Sequence, residues 1–279
     1  MKIGLTRAGL GNIGTDERFI ELAGAYGFEA VDVDPLGLIE RGGADGARAL
    51  LEKSGVSIGA MGLPVEWRTT DEAFRAGLAK LQAAAEAGAQ LGCTACCTYI
   101  LPSTDLPAAH FMAQAIRRLR LCAQLLGAYG IRLGLEYVGP HHLRTRWANP
   151  YIWTQEETLE LIEAIGEPNV GLLLDSYHWY TTGLAADDIA ALQPHQIVHV
   201  HLNDARDVPV SEALDNDRVY PGEGVIDLPA FLRAVHATGY RGAVSQEVLT
   251  PSAPTDPAEA LLQRTKAGFD RVFAAAGLR

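Results

Sequence analysis

The sequence predicts an α/β fold, a (β/α)8 TIM barrel forming a single domain over residues 1–279. Three observations predict it. Strand-like and helix-like stretches alternate eight times, at about 35 residues per pair. The run Val170 to Asp175, within V-G-L-L-L-D-S-Y-H, is too short for a helix and apolar on both faces, as befits a strand in a covered parallel sheet. Four such runs in the second half each deliver a metal-ligand side chain at the carboxyl end, where barrels carry their active sites.

Taken in order, Lys2–Leu5 is the first strand, and Thr15 caps a helix with Asp16 and Glu17 in its first turn, ending at Gly27. Ala30–Asp34 is the second strand, followed by a helix to Gly55, and Val56–Met61 is the third. Thr70 caps a long alanine-rich helix to Gly92, and Cys93–Tyr99 is the fourth strand. Pro107 opens a helix to Tyr129, stopped by Gly130 before the fifth strand, Ile131–Tyr137. Thr154 and Glu157 have capping-box spacing for a helix that stops at Gly166. Val170–Asp175 is the sixth strand, a helix follows around 185–192, and Ile197–Leu202 is the seventh strand. Asp227 caps a helix to Gly239, Ala243–Val248 is the eighth strand, and residues 257–276 form the closing helix.

The hydrophobic fraction, 48%, and the charged fraction, 20%, are those of an ordinary globular chain. No apolar run reaches the ~18 residues of a membrane span, and the first residues lack the apolar core of a signal peptide. The expectation is a cytoplasmic protein with no membrane partner. The net charge of −11 repels a phosphate backbone, so no nucleic-acid partner is expected. The one basic run, Arg117-Arg118-Leu119-Arg120, reads as a solvated helix face. Cys93 and Cys96 have C-x-x-C spacing, but in a strand-like run with no second pair. Together with Cys97 and Cys122 they read as reduced thiols packed in the core.

The ligand types are Glu136, Asp175, His201 and Glu247, one from each of the last four strands. Three carboxylates and one imidazole suit one divalent ion: Mn²⁺ first, with Mg²⁺, Co²⁺ or Zn²⁺ as alternatives. His199 shares a face with His201, and His201 is nearer the carboxyl end, so His201 is taken as the ligand and His199 as its supporting partner. His178, three past Asp175, is placed to reach a substrate hydroxyl or to orient a ligand. Trp67 and Trp153 lie near strand ends and are candidate aromatic walls for a sugar ring. Glu223, between two glycines, reads as a loop-fixing acceptor.

Gly9-Leu10-Gly11-Asn12-Ile13-Gly14 matches the dinucleotide fingerprint G-x-G-x-x-G. Its third glycine should lie inside the helix, yet Thr15 caps that helix, and Arg7 interrupts the strand that should lead into the turn. The expectation is a flexible loop at the barrel mouth, with no cofactor-binding residues.

In V-G-L-L-L-D-S-Y-H, I-V-H-V-H-L-N-D, D-R-V-Y-P-G-E-G-V-I-D-L (217–228) and G-L-E-Y-V-G the chain resembles the xylose-isomerase-like TIM barrels. That family includes sugar isomerases, ketose 3-epimerases, inosose isomerases and dehydratases, and endonuclease IV; the likeness is greatest to the inosose isomerase of inositol catabolism. The resemblance implies that Glu136, Asp175, His201 and Glu247 bind the metal, that Glu136 and Glu247 act as acid and base, and that His178 contacts substrate. Ketose epimerases often carry a Gly-Glu pair and a substrate-gripping arginine after the histidine ligand. Here the run is Asn203-Asp204-Ala205-Arg206, so Arg206 takes that part inexactly and the inosose branch is favoured. The expected function is a divalent-metal-dependent isomerase or epimerase of a keto-polyol, an inosose or ketose, acting by proton transfer through an enediolate. The alternative is a lyase on the same substrate class: inosose dehydratase, or β-elimination from a 3-keto-glycoside. A small-molecule sugar or cyclitol and a homo-oligomer are the expected partners.

Overall fold

A computed structural model of the protein describes residues 1–279. Its main sheet has nine parallel strands: β1 (Lys2–Leu5), β2 (Ala30–Val31), β3 (Ser57–Ile58), β4 (Met61–Gly62), β5 (Ala95–Ile100), β6 (Arg132–Tyr137), β7 (Val170–Asp175), β8 (Ile197–Leu202) and β9 (Ala243–Gln246). Their order is β3-β2-β1-β9-β8-β7-β6-β5-β4. The two ends of this sheet, β3 and β4, are consecutive pieces of the expected third strand. β3 pairs with β2 and β4 with β5, so the barrel closes through the two residues between them. Gly59 donates to the Val31 carbonyl (2.8 Å) and Leu63 to the Cys97 carbonyl (2.9 Å), so the broken strand is hydrogen-bonded on both sides.

The break has a steric cause. A Cβ on Gly59 would sit 2.5 Å from Asp32 Oδ1 and 3.4 Å from His199 Cε1. The backbone bends here to admit two side chains that support the site.

Ten helices wrap the strands: α1 (Asp16–Ala25), α2 (Pro35–Ser54), α3 (Asp71–Gln90), α4 (Ala108–Gly127), α5 (His141–Arg144), α6 (Gln155–Ile165), α7 (Ser176–Thr181), α8 (Ala186–Ala190), α9 (Leu228–Ala237) and α10 (Ala258–Ala275). Thr15, Asp34, Thr70, Thr154 and Asp227 each accept a hydrogen bond from a first-turn backbone N–H. Such a cap is worth about 1 kcal/mol, and Glu157 completes the predicted capping box. The apolar faces of the helices join the strands in one core of 69 buried residues. No helix is long and apolar enough to cross a membrane.

Several expectations change. α7 follows β7 without a loop because Asp175 serves as its N-cap, a dual use the pattern did not show. α8 is shorter than the expected 185–192 helix. Arg118 is not solvated: it is 4% exposed and donates to the carbonyls of Trp67 and Thr69 and to Asp71, tying α4 to the start of α3. The four cysteines are free; Cys93, Cys96 and Cys122 are buried, and Cys97 is half-buried at the cavity described below. The glycine loop is pinned rather than flexible. Leu10 and Ile13 are buried, Tyr220 donates to the Gly9 carbonyl, and α1 begins only after Thr15.

Candidate metal centre and active-site cavity

β6 to β9 run parallel, so their carboxyl ends converge at one mouth of the barrel. One ligand atom each from Glu136, Asp175, His201 and Glu247 lies within 4.8 Å of the others. His201 Nδ1 stands 3.5 Å from Glu136 Oε1, 3.4 Å from Glu247 Oε2 and 4.0 Å from Asp175 Oδ2. Two of these atoms, Glu136 Oε1 and His201 Nδ1, are buried and have no hydrogen-bond partner. An unpaired buried polar atom costs about 1–3 kcal/mol. Two such atoms facing each other inside a ring of carboxylates fit a bound cation, which would satisfy both. Three oxygens and an imidazole nitrogen are a donor set for Mn²⁺, Co²⁺ or Zn²⁺ and, less readily, Mg²⁺.

Supporting contacts hold each ligand. Asp175 Oδ1 accepts from the backbone N–H groups of Tyr177 (2.6 Å) and His178 (3.2 Å), and Oδ2 from Asn203 Nδ2 (2.9 Å) and Arg218 Nη1 (3.0 Å). The other edge of His201 faces Asp32, with Nε2 3.4 Å from Oδ2. Asp32 is itself fixed by His199 Nε2 (2.8 Å), Ser245 Oγ (3.0 Å) and the Ala60 N–H (3.1 Å). A carboxylate behind an imidazole sets which ring nitrogen carries the proton and leaves the other free for a cation. His199 thus acts on the shared Asp32 rather than on His201 directly.

The charges are strongly coupled. Burial opposes ionisation of Asp32, but His199 and His201 outweigh it and hold the carboxyl at about 2. Burial pushes the Glu136 carboxyl up, and the Glu247 charge adds to this against the pull of His201. Burial also works against the Glu247 charge, yet His201 and Arg218 keep its carboxyl below the usual range. Burial likewise opposes the His201 imidazolium, but Glu247, Asp32 and Glu136 hold its pKa well above that of an ordinary histidine.

Arg218 is the residue that sequence reasoning missed. It is 2% exposed; Nη1 bridges Asp175 Oδ2 and Glu247 Oε2 at 3.0 Å each, and Nη2 donates to Asp215 Oδ1 at 2.7 Å. It lies inside the D-R-V-Y-P-G-E-G run that carried the family likeness, so the signal was present but unread. Arg218→Met should lower unfolding stability by about 3–5 kcal/mol, because buried Asp175 and half-buried Asp215 and Glu247 lose their shared counter-charge. Urea denaturation measures this, and an unchanged midpoint would show the guanidinium to be dispensable.

Above the cluster opens a cavity of about 470 Å³, within the range of small-molecule sites. Glu136, His201 and Glu247 line it; Asp175 lies beneath. The four expected substrate contacts do not line it. His178 is 1% exposed; its Nδ1 accepts from the Gly139 N–H (3.3 Å), and Nε2 lies 3.9 Å from Asp215 Oδ1, behind Arg218. Arg206 points to solvent and pairs with Asp217 (2.8 Å). Trp67 is fully buried, donating to Thr98 Oγ1 and stacking on Phe111. Trp153 lies under the Arg144 guanidinium and lines a separate apolar hollow with Met112 and Tyr151. The walls instead include Thr6, Arg7, Asp34, Met61, Tyr99 and Leu173. Glu223 pairs with Arg264 of α10, tying its loop to that helix, and Asp204 fixes the neighbouring turn through the N–H groups of Gly222, Gly224 and Ile226. A larger groove of about 1000 Å³ lies at the opposite ends of the strands, beside Val170 and Gln196, and contains none of the convergent ligands.

The family profile for the xylose isomerase-like TIM barrel matches residues 20–268. The solved structure of a xylose isomerase domain protein from Alicyclobacillus acidocaldarius subsp. acidocaldarius superposes with a TM-score of 0.92 at 35% identity, covering 99% of both chains. The inosose isomerase of Halalkalibacterium halodurans is 31% identical over 144 residues, 52% of this chain and 49% of that protein. The 3-dehydroshikimate dehydratase of Pseudomonas aeruginosa is 33% identical over 142 residues, 49% of this chain and 21% of that protein. The chain therefore spans about half the length of the isomerase it matches.

Proposed function

The chain belongs to the xylose isomerase-like TIM barrel family, and from that premise we propose that it is a divalent-metal-dependent isomerase or epimerase of a keto-polyol, an inosose or a ketose. The observation that carries this reading is the division of labour among the four convergent side chains. Asp175 is buried and does not line the cavity, as befits a pure ligand, whereas Glu136 and Glu247 are both ligand-placed and line it. Manganese is the proposed ion, held by Glu136, Asp175, His201 and Glu247.

When bound there, the ion would supply Lewis-acid polarisation of the substrate carbonyl. The remaining work falls to the chain's own groups. One of Glu136 and Glu247 takes the proton from the carbon beside the carbonyl, and the other returns one. Return to the neighbouring carbon isomerises; return to the opposite face of the same carbon epimerises. Arg218 holds Glu247 and Asp175 in register, and Asp32 fixes the ring of His201. His178 acts through Asp215 and Arg218 rather than on the substrate. His178→Asn should therefore lower turnover while metal content, read by elemental analysis, stays near one ion per chain.

A second reading, dehydration, draws on the likeness to the dehydratase. The same proton abstraction followed by loss of a β-hydroxyl gives an unsaturated ketone. Incubation with Mn²⁺ and a panel of inososes, ketohexoses and 3-keto-glycosides in deuterated water separates the outcomes. Isomerase or epimerase activity places deuterium beside the carbonyl of a saturated product. Lyase activity produces ultraviolet absorbance of the enone. Absence of deuterium exchange and of enone with every substrate and metal would falsify both.

A further inference from the structure

The cavity above the ligand cluster has an acidic rim and no free cationic side chain to bind an anion. Among its lining residues the only guanidinium or ammonium is that of Arg7. Its Nε and Nη2 both donate to Asp16 Oδ1, at 3.1 and 2.6 Å, and Nη1 donates to the Gly14 carbonyl at 2.9 Å. The forked edge that would grip a carboxylate or phosphate is already taken. Nearby arginines are engaged as well: Arg41 pairs with Asp16 and Glu17, and Arg68 keeps only a buried Nε without a partner. Arg68 lies between the rings of Trp67 and Tyr99 and donates to Thr98 Oγ1 and the Tyr99 carbonyl. Arg218 is shared among Asp175, Asp215 and Glu247. Facing the same space are Asp16, Asp32, Asp34, Glu136 and Glu247, with Met61 and Leu173 as apolar surface. The buried, unpartnered Glu136 Oε1 and His201 Nδ1 mark the end at which the reacting group sits.

Resting on the enzymatic reading above, we infer that the substrate is an uncharged keto-polyol and that the site rejects the same kind of molecule bearing a carboxylate or phosphate. A substrate that reacts at Glu136 and Glu247 extends toward Asp34, Arg7 and Asp16. An anionic substituent there meets Asp34, while the nearest cations, Arg7 and Arg41, are already paired with Asp16, and like-charge juxtaposition is how a site excludes a near-analogue. Hydroxyls meet acceptors, Asp34 foremost, and the C–H face of a ring meets Met61 and Leu173.

The test compares neutral and anionic keto-polyols: an inosose against 3-dehydroshikimate, and a ketohexose against its phosphate. kcat/KM is read by deuterium exchange, by enone absorbance for the saturated ketones and by the change from enone to aromatic absorbance for 3-dehydroshikimate, and Kd by calorimetry. Wild type should favour the neutral compounds by about 100-fold or more. Asp16→Asn removes the carboxylate charge that Arg7 and Arg41 share and should narrow that ratio by about 10-fold, chiefly through tighter binding of the anion. Asp34→Asn, which keeps the cap on the Leu36 N–H, should narrow it in the same direction even if Asp16→Asn folds poorly. Equal or preferred turnover of the anionic compounds by wild type overturns the inference and leaves the enzymatic reading standing. If neither class turns over, the enzymatic reading falls, and calorimetric binding of the anions as tight as that of the neutral compounds overturns the inference too.

Discussion

Glu136→Gln and Glu247→Gln should each reduce kcat by about 10²–10⁴-fold, the usual worth of a positioned acid or base. Glutamine keeps the shape and can still offer an oxygen, so the cavity survives while the proton-carrying carboxyl is lost. The two variants should differ in stability. Glu136 Oε1 has no partner and burial pushes its carboxyl up, so a neutral amide is tolerated at little cost. Glu247 Oε2 accepts a charge-assisted hydrogen bond from Arg218, so its replacement should cost about 1–2 kcal/mol. Because both residues are also placed as ligands, deuterium exchange should be measured at saturating Mn²⁺ with ion content checked in parallel. A variant that carries its ion and still exchanges at the wild-type rate refutes the acid–base role for that residue.

The fold and the convergence of the four candidate ligands were legible for the same reason. A strand buried on both faces reads as an unbroken apolar run, and a carboxylate or imidazole at its end is conspicuous against it. Val170–Asp175 and Ile197–Leu202 have the predicted bounds. The same signal existed at Asp32, which ends the shorter run after Ala30, but with two neighbouring valines and Asp34 close by it read as one strand of mixed polarity. Its role depends on Gly59 leaving space beside it, and that contact lies between strands. Arg218 was harder still. It comes from the long loop after β8 and reaches the site through a two-residue antiparallel pairing with Asp204–Ala205. No local periodicity reports such a return. The aromatic and arginine candidates do not line the cavity, because proximity to a strand end does not fix direction. Trp67 turns into the core beside Phe111, and Arg206 turns out to Asp217. Residue type announces chemistry, but only the path of the loop decides which side of the barrel wall receives it.

Asp175→Asn separates the two duties of a single carboxylate. One oxygen caps α7 by accepting from the N–H groups of Tyr177 and His178; the other faces Asn203 Nδ2, Arg218 Nη1 and the ligand cluster. Asparagine can keep its oxygen on the cap, since Asn and Asp serve about equally well there. Its amide then points two hydrogens at two existing donors and at the cation position, where it can ligate nothing. Metal affinity should fall by about 100-fold or more, exceeding the 10–100-fold typical of losing a supporting contact. Asp175→Ala should lose the cap as well, and so unfold about 1 kcal/mol earlier than Asp175→Asn when both are measured in chelator. Elemental analysis and metal titration read the first effect, and urea denaturation in chelator the second. The stability comparison excludes a merely structural reading, because the cap and the ligand are lost together only in the alanine variant. An asparagine variant that binds its ion as tightly as wild type would remove Asp175 from the ligand set, leaving Glu136, His201 and Glu247 as too few donors for the site described.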